Sequence, residues 1–157
     1  MITIAPENFD LTHIKILLDA GIILSLGHTN DNYEDSMEKL NMGITSVTHL
    51  FNAMSGMVAR NPGMIGAALT HPDCYCGIIA DLHHVHHANI LIAANMKPDH
   101  LYLVTDAHAP NGTDIKEFSL TGKQLFVKNG MCVDKDGVLA GSFITLNQAV
   151  HNCITSC

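Results

Sequence analysis

Residues 22–50 read IILSLGHTNDNYEDSMEKLNMGITSVTHL and contain one full strand, helix, strand repeat. Ile22 to Leu26 is a short apolar run, which suits a strand buried on both faces. Asn30 to Leu40 places Tyr33, Met37 and Leu40 on one helical stripe, Gly43 stops that helix, and Ile44 to Thr48 is the next strand. Two strands joined by a helical crossover pair in parallel, so the stretch assigns the chain to the α/β class.

Working outward, Met1 to Ala5 reads as a strand. Asp10 caps a helix with Leu11, Ile14, Leu17 and Leu18 on one face, ending at Gly21. On the other side, residues 51–72 contain Gly56, Gly63, Gly66, Pro62 and Pro72, which predicts a long loop with at most a short helix from Met64 to Leu69. Loops of that length in compact domains are usually functional. Tyr75 to Ala80 is a strand, His87 to Met96 a helix stopped by Pro98, and Leu101 to Thr105 the fifth strand of parallel type.

The pattern changes after Asp106. Glu117 to Leu120, Gln124 to Lys128, Met131 to Val133 and Val138 to Ala140 are short strands separated by Gly122, Asn129-Gly130 and Asp136-Gly137. Residues 115–140 are therefore expected to be a β-hairpin-rich insertion in a single domain spanning 1–157. Ser142 begins a last helix-like run through Val150.

The chain of 157 residues is 47% hydrophobic and 15% charged, which excludes disorder and leaves apolar surface that expects a partner. Eight Lys and Arg against 15 Asp and Glu, a net charge of -7, argue against nucleic acid, whose binders cluster cations. The five cysteines lack paired Cys-x-x-Cys spacing, so neither a disulfide framework nor a thiolate zinc site is indicated, and a reducing cytoplasm fits. No apolar run approaches the roughly 20 residues of a membrane span, and nothing near Met1 reads as a targeting signal.

Polar residues gather where the parallel strands end: Gly27-His28-Thr29, Thr48-His49-Leu50, Asp81 to His84 and Thr105-Asp106-Ala107. In barrels of alternating strands and helices that rim carries the active site. His28 and His49 are one βα unit apart, so adjacent strands would deliver two imidazoles to one cavity, where they can bind a metal ion such as zinc. Asp106 would then serve as general base and pass its proton to a leaving amine, an arrangement suited to metal-assisted amide hydrolysis. A single His at a strand end is more often structural than a ligand. The tract His83-His84-Val85-His86-His87 reads either as a metal cluster or as solvated polar groups. His13, His71, His100, His108 and His151 read as surface or packing residues, and Cys74 and Cys76 as one side of a packed strand.

Taken together, Gly27-His28-Thr29, Thr48-His49-Leu50-Phe51-Asn52-Ala53-Met54, Arg60-Asn61-Pro62-Gly63, Gly77-Ile78-Ile79-Ala80-Asp81, Val104-Thr105-Asp106-Ala107 and Gly141-Ser142 resemble the N-acetylglucosamine-6-phosphate deacetylases of the amidohydrolase superfamily. The run from Thr48 to Met54 followed by Arg60 to Gly63 is the specific part of the likeness, which extends from Ile2 to the end. The resemblance implies a metal-dependent (β/α)8 barrel that removes acetate from N-acetylglucosamine 6-phosphate in amino-sugar catabolism. It implies that His28 and His49 bind the divalent ion, commonly zinc, and that Asp106 is the acid and base. It also implies that Asn52 and Ala53 contact the sugar phosphate, Arg60 its phosphate and His84 the acetamido carbonyl, while Leu139, Ala140 and Gly141 close over the sugar. A homodimer is implied, because the family's phosphate pocket includes residues from a neighbouring subunit.

The sequence also departs from the family. A Glu ligand supplied by an earlier strand has no counterpart here, about five of eight barrel strands are expected, and Glu7 does not match that ligand's motif. Leu82 stands where a Gly is common before the His tract. Two rival readings follow: a catalytically incomplete fragment that acts as a packing module, and another amidohydrolase acting on a cyclic amide or a different N-acetyl sugar.

Overall fold

The computed structural model describes residues 1–157. The repeat read from residues 22–50 is present: β2 (Leu24–Leu26), α2 (Tyr33–Asn41) and β3 (Ser46–Val47). It is preceded by β1 (Ile2–Ile4) and α1 (Leu11–Asp19) and followed by α3 (Gly63–Thr70), β4 (Tyr75–Ile79), α4 (His87–Met96) and β5 (Leu101–Val104). These strands form a five-stranded sheet in the order β1-β2-β3-β4-β5, with β1 through β4 pairing in parallel. Then β6 (Glu117–Leu120), β7 (Lys123–Lys128), β8 (Met131–Asp134) and β9 (Leu139–Ser142) make a four-stranded antiparallel meander, and α5 (Leu146–Ser156) ends the chain.

The chain divides into two compact units, Met1–Ile78 with Leu91–Tyr102, and Ile79–Ile90 with Leu103–Cys157. In the first, Leu24, Leu26 and Val47 are wholly buried beside Ile14 of α1 and Leu40 of α2. The apolar run expected of an interior parallel strand is therefore matched by its burial. A hydroxyl ladder crosses the same strands, with Thr48 Oγ1 lying 2.8 Å from Thr3 Oγ1 and 2.6 Å from Ser25 Oγ. In the second unit, Leu125, Cys132 and Val133 supply the apolar face of the meander.

Several boundaries differ from the sequence reading, each for a local reason. The second helix starts at Tyr33 rather than Asn30 because Asn32 is the cap: its Oδ1 accepts from the Asp35 amide at 2.8 Å, and its Nδ2 donates to Asp35 Oδ2 at 2.9 Å. Residues 51–72 hold a longer helix than expected, Gly63–Thr70, whose first seven residues are buried. Glycine and proline signals pointed to a loop, yet burial between other elements keeps this segment helical. The last helix begins at Leu146, directly after Thr145, because Ser142 ends β9 and its hydroxyl donates to the Thr105 carbonyl. A 3-10 turn, Pro6–Asn8, separates β1 from α1.

Both features expected of the cysteines and the turns are present. Cys74 and Cys76 are fully buried, and hydrogen bonding between the two thiols, with burial, pushes Cys74 far up. Asn129 and Gly130 both adopt positive φ, 51° and 77°, as a tight hairpin turn between β7 and β8 requires. No helix is long and apolar enough to cross a membrane.

Candidate active site

Each strand of the parallel sheet from β2 onward is followed, two residues past its last member, by a polar side chain. His28 follows Leu26, His49 follows Val47, Asp81 follows Ile79 and Asp106 follows Val104. The Leu26 and Val47 positions are paired across β2 and β3, so His28 and His49 leave the sheet side by side. Gly27 makes this possible: a Cβ there would meet Thr3 Cγ2 at 3.0 Å and Thr48 Cβ at 3.1 Å.

The two imidazoles meet. His28 Nε2 lies 2.9 Å from His49 Nε2, with ring centroids 4.6 Å apart and planes at 78°. His49 is buried and His28 exposed. Two imidazole nitrogens aimed at one point are a suitable donor set for a divalent ion, which in hydrolytic sites commonly takes three protein ligands. No cluster of three or more His, Cys, Asp or Glu side chains gathers in the chain to complete such a set.

Beside the pair is a cavity of about 390 Å³ lined by His28, Thr29, Asn30, Ala53 and Met54. Ala53 reaches it because the Thr29 amide donates to the Ala53 carbonyl at 3.1 Å and the Ser55 amide donates to the Thr29 carbonyl at 3.0 Å. Asn52 precedes it, its Nδ2 donating to the His49 carbonyl at 3.3 Å. Arg60 is exposed in the loop that leads into α3.

The remaining expected residues lie in the second unit. Asp81 receives the His83 amide at 2.9 Å and the His84 amide at 2.8 Å on one oxygen, and His84 Nδ1 at 2.6 Å on the other. Both side chains are largely buried, 4% and 7% exposed. Burial pushes the Asp81 carboxyl up, but the His84 side chain and the two amides outweigh it and hold the group below the usual carboxylate value. An imidazole engaged at Nδ1 keeps Nε2 as its other ring nitrogen, the two being chemically distinct. The sequence marked His84 but not its anchor, although Asp81 sits at the same strand-end position as His28. His86 and His87 stack on each other, centroids 4.1 Å apart, while Asp81 engages His84. Leu139, Ala140 and Gly141 lie in β9, where His108 Nε2 is 2.8 Å from the Ala140 carbonyl. A Cβ at Gly141 would come within 2.4 Å of that same His108 nitrogen.

Backbone strain concentrates at these positions. His28, His49 and Asp106 have φ of 52°, 36° and 49°, and Ala53 and Leu82 have 48° and 64°. Non-glycine residues rarely adopt the left-handed region, and such residues cluster at functional sites. Leu82 holds a left-handed backbone that glycine would adopt without a Cβ penalty.

The chain is similar to several named deacetylases. The N-acetylgalactosamine-6-phosphate deacetylase of Shewanella sp. (strain ANA-3) is 42% identical over 157 residues, covering 99% of this chain and 40% of that protein. The N-acetylglucosamine-6-phosphate deacetylase of Haemophilus influenzae is 37% identical over 155 residues, 97% of this chain and 40% of that protein. The crystal structure of N-acetylglucosamine-6-phosphate deacetylase from Pasteurella multocida superimposes with a TM-score of 0.94 at 40% identity, covering 98% of this chain and 41% of its own. Over nearly its whole length the chain is similar to N-acetylglucosamine- and N-acetylgalactosamine-6-phosphate deacetylases.

A second solved structure, a point mutant of the Mycobacterium smegmatis N-acetyl-D-glucosamine-6-phosphate deacetylase in complex with N-acetyl-D-glucosamine 6-phosphate, matches with a TM-score of 0.90 at 31% identity over 98% of this chain and 42% of that one. The chain spans about 40% of the length of the curated relatives it matches. No protein-family model matches it.

Proposed function

We propose that the chain carries part of the machinery that hydrolyses N-acetylglucosamine 6-phosphate to glucosamine 6-phosphate and acetate. The observation that carries this reading is the convergence of His28 and His49 at 2.9 Å beside the 390 Å³ cavity, in a chain similar over nearly its whole length to these deacetylases. The five-stranded sheet is, in this reading, part of a (β/α)8 barrel. Residues 1–157 belong to one domain of it, with 115–140 as an insertion. The protein is cytoplasmic and works as a homodimer on a small amino-sugar phosphate.

His28 and His49 would hold a divalent ion, zinc by our reading. Bound there, the ion supplies a positive charge that lowers the pKa of water at the site and polarises the scissile carbonyl. Asp106 takes a proton from the attacking water as its oxygen bonds to the acetamido carbon. The tetrahedral intermediate collapses when Asp106 returns that proton to the nitrogen, the C–N bond breaks and acetate leaves. His84, oriented by Asp81, turns Nε2 toward the carbonyl oxygen and steadies its developing charge. Arg60 receives the phosphate through charge-assisted hydrogen bonds, and Asn52 and Ala53 support the sugar phosphate beside it. Leu139, Ala140 and Gly141 cover the sugar.

A second reading, the galacto epimer as substrate, is favoured by the 42% identity to the Shewanella protein. The test is acetate release from both 6-phosphates by the purified chain with added zinc, run beside His49→Ala and a metal analysis. Turnover of the gluco substrate that His49→Ala abolishes is the expected result. Preference for the galacto substrate would replace the proposed substrate by its epimer. Absence of both metal and turnover would overturn the catalytic reading of this chain.

A further inference from the structure

Glu7 is the first carboxylate after β1, and its two oxygens are both engaged by the turn that carries His28. Thr29 Oγ1 donates to Glu7 Oε2 at 2.6 Å, and the Asn30 amide donates to Glu7 Oε1 at 3.0 Å. Thr29 is 1% exposed, and it is a junction. Its hydroxyl, while donating to Glu7, also accepts from the Asp31 amide at 3.1 Å, and its backbone makes both hydrogen bonds that draw Ala53 and Ser55 alongside. A parallel bridge between Thr29 and Met54 continues that contact. Five members of this small region, His28 through Asn30 with Ala53 and Met54, line the cavity beside the imidazole pair.

We propose that Glu7 and Thr29 act as one positioning pair: the carboxylate fixes the Thr29 hydroxyl, and Thr29 in turn sets the His28 ring and the Ala53 wall of the cavity. This rests on the reading of His28 and His49 as ion ligands given above. The pair deepens that reading by assigning a role to a carboxylate that touches neither imidazole.

The chemistry of the contact explains why a carboxylate is needed. Both partners are donors, so Glu7 must accept on both oxygens. Glutamine of the same shape has one oxygen and one NH2: with its oxygen accepting from the Asn30 amide, its NH2 could only donate to Thr29 Oγ1, which leaves the Thr29 proton without its carboxylate acceptor. Thr29 is equally constrained, because its single proton is committed to Glu7 while its lone pair receives Asp31. Burial pushes the Glu7 carboxyl up, yet the Thr29 hydroxyl and the Asn30 amide, with the Lys39 charge, hold it below its ordinary value. The group is thus an anion throughout the neutral range. His28 needs such support because its φ is 52°, a conformation the turn must enforce.

The test is a titration of the 157-residue chain with Co2+, followed by visible absorption, for the parent, Glu7→Gln, Thr29→Val, Thr29→Ser and the Glu7→Gln/Thr29→Val double variant. Both Glu7→Gln and Thr29→Val should weaken Co2+ binding about tenfold, the low end for residues that orient a ligand without touching the ion. The double variant should lose no more than either single one, since both break the same link, and Thr29→Ser should bind like the parent. Parent-like binding by Glu7→Gln, or losses that add in the double variant, would overturn the pairing. If the parent itself binds no Co2+, the ion reading fails, and the pairing is judged on the His28 imidazole 15N resonances. A change in them on Glu7→Gln upholds it, and unchanged resonances sink it.

Discussion

His28 Nε2 and His49 Nε2 are 2.9 Å apart, so one of the two nitrogens carries the proton between them and the other accepts it. An ion binding at this point needs both lone pairs, and the donating ring must move its proton to Nδ1. Two expectations follow for calorimetry and imidazole 15N spectra of the chain. His49→Ala should lower zinc affinity by about 100-fold or more, beyond what loss of an outer residue costs. In the parent, zinc should convert both rings to the Nδ1–H tautomer; persistence of a Nε2–H signal at saturating zinc would contradict the shared site.

Arg60 is exposed and belongs to no ion pair with an Asp or Glu side chain of this chain. A guanidinium free to meet phosphate contributes through charge-assisted hydrogen bonds of about 1.5–3 kcal/mol, or roughly 10- to 150-fold. Arg60→Ala should reduce kcat/KM by about that factor on the 6-phosphate substrate, with the loss in KM. Activity on the sugar lacking phosphate should not change, and equal losses on both substrates would remove Arg60 from phosphate recognition.

The Asp81 carboxyl is held below its ordinary value of 3.8, so its protonated form is disfavoured in the folded chain. Its stabilising contribution is fully present above the unfolded pKa and is lost as pH falls through the lower folded pKa. Thermal unfolding followed from pH 6 down to about pH 2.5 should show Tm falling at the acid end, and the fall should be shallower in Asp81→Asn. Identical acid limbs in the two proteins would mean that the hydrogen bonds from His83 and His84 do not favour the anion.

Lys39 and Asp31 form an ion pair with side chains 10% and 6% exposed. Deleting one partner of such a pair strands the other charge, at a cost of about 3–5 kcal/mol. Lys39→Ala should lower unfolding stability by that order in urea titrations, and Lys39→Ala with Asp31→Ala should recover part of the loss. A double variant as unstable as the sum of the singles would show that the pair is not coupled. Because the Ser55 hydroxyl donates to the Asp31 carbonyl and also accepts from the Met64 amide, the destabilised segment should include the start of α3.

The βα repeat was legible because its signals are local. The fully buried strand at Leu24 to Leu26, the Gly43 stop and the single stripe on α2 each act within a few residues. The His pair was legible for the same reason, since strand-end position follows from the repeat. Glu7 and Asp81 were not promoted because their importance comes from acceptance geometry, two and three hydrogen bonds respectively, which spacing does not encode. The helix at Gly63–Thr70 exceeded its expected length because burial there overrides the weak helix propensity of its two glycines. Ser142 looked like a helix start, whereas its hydroxyl engages Thr105 across 37 residues of sequence.

His28, His49 and Asp106 all occupy left-handed backbone, which costs an L-residue about 1–2 kcal/mol each. Glycine at any of the three would relieve that cost and remove the functional group at the same time. Substitutions selected for thermal robustness alone would therefore erase the rim first, and a screen that enriches heat-resistant variants of this chain should return them blind to metal.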